Sequence, residues 1–132
     1  MIVIDTNVLV SGLLTPEGVC ARVVDWALRQ PERLLVTFAI LEEYRCVLHR
    51  AQFKFEPATV DELIGMLACS ALDDVAPLTV KDKAADRYDV MFYSVAVCYG
   101  ANALVTGNRR HYPRKPEVPV LSPREFAEQA RI

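Results

Sequence analysis

The chain opens Met1-Ile2-Val3-Ile4-Asp5-Thr6-Asn7-Val8-Leu9, a run of β-branched apolar residues that stops on an aspartate. A short, unbroken apolar run suits a strand covered on both faces, so Ile2-Val3-Ile4 predicts a central strand of a parallel sheet. Asp5 then stands at the carboxyl end of that strand, where open parallel sheets place their sites. Taken alone, the commoner reading of Asp5 is an N-cap or turn former for a short helix from Thr6 to Val10, punctuated by Gly12.

Similar runs recur along the chain. Leu34-Leu35-Val36 and Ala103-Leu104-Val105-Thr106 predict buried strands. Val75 to Val80 predicts a short strand interrupted by Pro77, and Val118-Pro119-Val120-Leu121 an edge strand, where proline is tolerated. Between them lie helical patterns. Thr15 as N-cap with Pro16 at the first helical position predicts a helix to about Gln30. Thr37 caps a helix from Phe38 to about Arg50, and Pro57 to about Ser70 forms another, ended by Asp73-Asp74. Ala84 to Tyr99 is apolar on nearly every side, the mark of deep burial, with Gly100 as its stop. Ser122-Pro123-Arg124-Glu125 reads as a capping box opening a terminal helix to about Arg131. Strands alternating with helices imply an α/β fold with a mostly parallel sheet, and 132 residues suit a single domain over 1–132.

Composition narrows the function classes. At 52% hydrophobic and 24% charged the chain is too apolar for intrinsic disorder. A net charge of -2 gives no basic surplus, so nucleic-acid binding has to rest on a local patch. Cys20, Cys46, Cys69 and Cys98 form no C-x-x-C pair and only His49 and His111 accompany them, which argues against zinc. Three of these cysteines fall in helical apolar patterns and are expected to pack as small buried hydrophobes in a reducing compartment. No run reaches the length of a membrane span, so the expected location is the cytoplasm.

Three further residues fall where chemistry can gather. At about 100° per residue, Ile40, Leu41, Tyr44, Val47 and Leu48 share one stripe of their helix. Glu42 points away from it, and Glu43 lies on its border, held against the body of the protein. Asp89 falls in the first turn of its helix, where backbone N–H groups favour a carboxylate, and Asn108 follows the strand ending at Thr106. Each has an ordinary structural role to play by itself. Three converging carboxylates, however, repel one another unless a divalent cation offsets them.

Together these motifs resemble the PIN domain family of metal-dependent ribonucleases, and in particular small members resembling VapC-type toxins. The opening strand with Asp5-Thr6-Asn7-Val8 resembles the first family motif, and Leu41-Glu42-Glu43-Tyr44-Arg45-Cys46-Val47-Leu48 the second, with Glu43 at the acidic position. Asp86-Arg87-Tyr88-Asp89-Val90-Met91-Phe92 and Leu104-Val105-Thr106-Gly107-Asn108 resemble the third and fourth. Val90 departs from the acidic or amide residue often found there, and Asn108 stands where many members carry aspartate.

The resemblance implies a three-layer α/β/α domain that hydrolyses RNA phosphodiesters with Mg²⁺ or Mn²⁺ held by Asp5, Glu43 and Asp89. Asn108 completes the catalytic set without adding charge, which favours one metal ion over two. Thr6, Asn7 and Thr106 would orient water or phosphate oxygens, with Asp86 as a compensating carboxylate. Arg109, Arg110, His111, Tyr112, Arg114 and Lys115 form a basic loop suited to single-stranded RNA through phosphate contacts and stacking on His111 or Tyr112. An antitoxin partner and a homodimer are also implied. Two other readings compete: a weakly active or inactive PIN-like module binding RNA or protein, which Asn108 keeps open, and an aspartate-based phosphoryl-transfer domain. The second is disfavoured, since Asn7 replaces an acid and no lysine follows Thr106.

Overall fold

In the computed structural model, residues 1–78 and 87–132 are described, with side chains in the helix beginning at Arg87 described from Val90 onward. The opening run forms β1 (Ile2–Ile4), which pairs in parallel with β4 (Ala103–Val105), and β4 pairs in parallel with β5 (Val120–Leu121). On the other side of β1, Leu34 makes a parallel bridge to Ile2, and the chain continues into β2 (Val36–Thr37), parallel to β3 (Ala71–Leu72). The spatial order is therefore β3-β2-β1-β4-β5, with β2 reaching β1 through the Leu34 bridge. Every residue of β1 and β4 is buried, as the unbroken apolar runs require.

That order sets the place of the site. From β1 the chain moves to one side of the sheet to build β2 and β3, and only later returns to the other side of β1 as β4. The carboxyl ends of β1 and β4 thus flank the point where the winding reverses, the crevice that such sheets offer to ligands. Six α-helices appear among the described residues: α1 (Thr6–Leu14), α2 (Val19–Arg29), α3 (Phe38–Leu48), α4 (Pro57–Ala68), α5 (Arg87–Cys98) and α6 (Pro123–Ala130). Tyr44 of α3 stacks on Phe92 of α5 at 6.1 Å, and Trp26 of α2 meets Phe126 of α6 edge to face at 5.0 Å. Such aromatic pairs add to the apolar burial that closes the core.

Local signals account for most helix boundaries. Thr37 Oγ1 accepts from the Ile40 N–H, and Ser122 with Glu125 forms a complete capping box behind Pro123. Gly100 ends the α5 region with φ +66, a conformation glycine adopts without a Cβ penalty. Four expectations are corrected. The helix expected from Pro16 starts at Val19, because Thr15 to Gly18 close a turn through the Gly18 N–H to Thr15 C=O bond instead. The strand expected at Val75–Val80 lies earlier, at Ala71–Leu72, where pairing with β2 is available; 75–78 carry no strand and 79–80 lie outside the described residues. The cysteines are free but not buried: Cys46, Cys69 and Cys98 are exposed and Cys20 half-buried, since their helices turn other residues inward. Residues 84–86 of the expected fifth helix also lie outside the described residues. Gly12, expected to interrupt the first helix, sits inside α1, where its lack of a side chain lets the α2 backbone at Ala21 come close. Among the described residues no helix is long and apolar enough to cross a membrane.

Ser122→Ala removes the acceptor that opens α6 and is expected to cost about 1 kcal/mol, and Leu104→Ala, at a fully buried position of β4, about 2–5 kcal/mol. Urea denaturation followed by circular dichroism measures both, and equal costs would contradict the assignment of β4 to the core.

Candidate functional site

Asp5 occupies the N-cap position of α1, yet its side chain makes no capping hydrogen bond. Its backbone is tied into the sheet, the Asp5 N–H donating to Val105 C=O at 2.9 Å. The carboxylate, only 5% exposed, is turned across the β1–β4 crevice, where Thr106 Oγ1 donates to Oδ2 at 2.8 Å and the Tyr112 hydroxyl donates to the same oxygen at 2.9 Å. Among the described residues Oδ1 takes no hydrogen bond, and none of their ion pairs involves Asp5. Among the described residues, this buried carboxylate is held on one oxygen by neutral hydroxyls and meets no countercharge of the kind burial ordinarily demands.

The crevice is braced from β1 and β4 together. Asn7 Nδ2 donates to Thr106 Oγ1 at 3.3 Å, and Asn7 Oδ1 accepts from the Gly107 N–H at 2.9 Å. Thr106 Oγ1 also accepts from the Asn108 N–H at 3.0 Å. A Cβ on Gly107 would lie 3.2 Å from Asn7 Oδ1, so the glycine permits this close approach. Asn7 and Thr106, expected to orient water or phosphate, are engaged in fixing the turn and Asp5. Beneath them the buried Tyr44 hydroxyl donates to Ile4 C=O at 2.5 Å. Burial foremost, and then the Asp5 charge, push the Tyr44 hydroxyl pKa upward, so it remains a donor.

The adjacent glutamates of α3 part as the helix geometry predicts. Glu42 is exposed and bonded by Arg45, whose Nε lies 3.0 Å away, and that hydrogen bonding holds the Glu42 carboxyl down at about 2. Glu43 is half-buried and lines a cleft of about 410 Å³ together with Thr6 and Asn7. The Thr6 hydroxyl, next to Asp5 in the chain, is buried with no hydrogen-bond partner among the described residues. Asp89 falls in the first turn of α5, but its side chain, like the whole of Asp86, lies outside the described residues. Among the described residues no three acids, cysteines or histidines gather into a metal-binding group.

The basic loop divides in two. Arg109 pairs with Glu125 at the start of α6, and Tyr112 is 2% exposed with its hydroxyl on Asp5. The expected stacking of a base on Tyr112 is therefore corrected: the ring is buried. Arg110, Arg114, Lys115 and Asn108 are exposed and His111 half-buried; Arg110 and Arg114 border a depression of about 820 Å³ that also reaches the Tyr112 ring. The hydroxyl roles of Tyr112 and Tyr44 were missed in the sequence. Tyr44 offered a signal, a polar-tipped ring on an apolar stripe that needs a partner, whereas Tyr112 lies 107 positions from Asp5 and offered none.

These features fit a divalent cation: a buried carboxylate that, among the described residues, has an open oxygen and no ion-pair partner, a hydroxyl beside it with no hydrogen-bond partner in the same set, and a second carboxylate on the adjoining cleft. In chelator, Asp5→Asn keeps an oxygen to accept both hydroxyls while removing uncompensated charge. It is expected to leave the urea midpoint unchanged or raised, and a loss of more than about 1 kcal/mol would instead make the carboxylate a structural hub.

No curated protein and no solved structure matches the chain. A family model described as the PIN domain matches residues 1–110. With Asp5 at the reversal point of a parallel sheet and helices around it, the chain belongs to the PIN domain family, a nuclease fold of α/β/α architecture whose members typically use divalent metals and bind RNA.

Proposed function

We propose that this PIN domain, as a single domain over residues 1–132, is a Mg²⁺- or Mn²⁺-dependent endoribonuclease and the toxin of a toxin–antitoxin pair. The observation that carries the reading is the Asp5 carboxylate, buried, making no capping hydrogen bond to its helix, and in none of the ion pairs among the described residues. Asp5, Glu43 and Asp89 hold the ion. When bound, the ion supplies Lewis acidity that lowers the pKa of a water and offsets charge on the attacked phosphate.

The chain's own groups do the remaining work. Thr106 and Tyr112 fix Oδ2 of Asp5 so that Oδ1 faces the ligand. Asn7 holds the Thr106–Gly107 turn in place, and the buried Thr6 hydroxyl, with no hydrogen-bond partner among the described residues, orients a water of the site. Asn108 contributes an amide and no charge, which favours one ion. Arg110, Arg114, Lys115 and His111 contact RNA phosphates, while Arg109 stays on Glu125 and shapes the loop. Asp86 supports the acidic set. A homodimer in the cytoplasm, with an antitoxin covering the acids, completes the proposal. The competing reading, an RNA- or protein-binding module without turnover, draws on the neutral, exposed Asn108.

Cleavage of a varied single-stranded RNA pool decides between them. Activity is expected with Mg²⁺ or Mn²⁺, and none in chelator. Asp5→Asn and Glu43→Gln are expected to lose more than about 100-fold, with Glu42→Gln near wild type because that carboxylate is spent on Arg45. RNA binding without metal-dependent cleavage would favour the module, and cleavage that survives chelator would sink the metal mechanism.

A further inference from the structure

After α3 the chain does not leave the site. Arg50 follows two residues beyond the helix and leads into a short 3-10 turn, Ala51–Phe53, that ends at Lys54 in the left-handed region, φ 56. Arg50 and Phe53 complete the same cleft that Thr6, Asn7 and Glu43 line, with Val47 in its wall. The Arg50 side chain is exposed and takes no part in the ion pairs among the described residues. Phe53 is half-buried and stacks on Phe55 at 5.6 Å with an interplanar angle of 13°, which fixes the plane of its ring.

A cleft of about 410 Å³ that joins an acidic site, an uncommitted guanidinium and a fixed aromatic ring has the chemistry of a nucleotide subsite. The guanidinium suits a phosphate, and the apolar wall with its ring suits a base. The Arg110–Arg114 depression is separated from Asp5 by the buried Tyr112, whose hydroxyl is on that carboxylate, whereas this cleft is itself lined by Thr6 and Glu43.

We propose that the Arg50–Phe53 cleft binds one nucleotide of a single-stranded RNA, so that the strand is held beside the acidic site at a subsite separate from the basic loop. Arg50 holds the phosphate and Phe53 supports the base. This rests on the nuclease reading above and adds a contact that the basic loop does not supply. A duplex, whose bases are paired and stacked internally, cannot offer its base to Phe53 and gains only the phosphate contact.

The test uses the full chain carrying Asp5→Asn, so that binding is read without turnover. Fluorescence anisotropy with a labelled single-stranded RNA oligonucleotide is measured between 50 and 200 mM salt, ranges chosen as about those over which phosphate contacts are resolved. Adding Arg50→Ala is expected to weaken binding and to lower the salt slope by about 0.7, the share of one phosphate on a single strand. Adding Phe53→Leu, which keeps apolar bulk, is expected to weaken binding at least about fivefold without changing the slope, and Phe53→Tyr to restore it. Circular dichroism melting confirms that each variant is folded. Single-strand affinity and slope unchanged in both variants would overturn the subsite alone, as would a Phe53→Leu loss equally large on duplex RNA. A parent protein that binds no RNA, together with a wild type that cleaves none, would overturn the nuclease reading as well.

Discussion

Burying one carboxylate that has no ion-pair partner among the described residues is the constraint on which this structure turns. Asp5 is withdrawn from solvent at the end of β1 and receives two neutral hydroxyls on a single oxygen. Two hydrogen bonds lower the desolvation cost of such a group without cancelling its charge. The surrounding contacts make sense as a means of keeping that arrangement: Asn7 secures the turn carrying Thr106, Gly107 admits Asn7, and the buried Tyr44 hydroxyl is spent on the carbonyl immediately before Asp5. These contacts hold the carboxylate in one orientation, preorganised by partners that are themselves held in place.

The parallel sheet is what brings these distant residues together. Asp5 and Thr106 are 101 positions apart, but the register of β1 on β4 sets Ile4 beside Val105, so the next residue of each strand meets its counterpart. The reversal of winding between those strands leaves the space above them open. From there, α1 supplies Thr6 and Asn7, α3 supplies Glu43, and the segment after β4 returns Tyr112 to the carboxylate. Short strands suffice, because the ladder has only to fix register while the helices supply the buried area.

Much of this was legible in the sequence wherever the controlling physics is local. Thr37 and Ser122 announce caps because a side chain and a backbone N–H three residues on are enough to define one. The opposite fates of Glu42 and Glu43 follow from helical angle alone. Thr15-Pro16 misled because proline suits a turn as readily as a first helical position, and the turn won. The strand at Ala71–Leu72 was placed too late because its register depends on β2, not on its own composition. Tyr112 was read as a stacking surface in a basic loop; only the fold could show that its ring is buried and its hydroxyl reaches Asp5. The cysteines were misread because helical faces were judged by pattern at positions where larger residues fill the interior.

The central claim is that the open side of Asp5 is the seat of a divalent cation. A crystal of the wild-type protein soaked in Mn²⁺ and measured at a wavelength with strong manganese anomalous scattering tests this most directly. The account predicts an anomalous peak beside Asp5 Oδ1, on the side of Glu43, that disappears in Asp5→Asn. A saturating soak with no peak there, or with manganese only on exposed carboxylates such as Asp25 or Asp61, would contradict it.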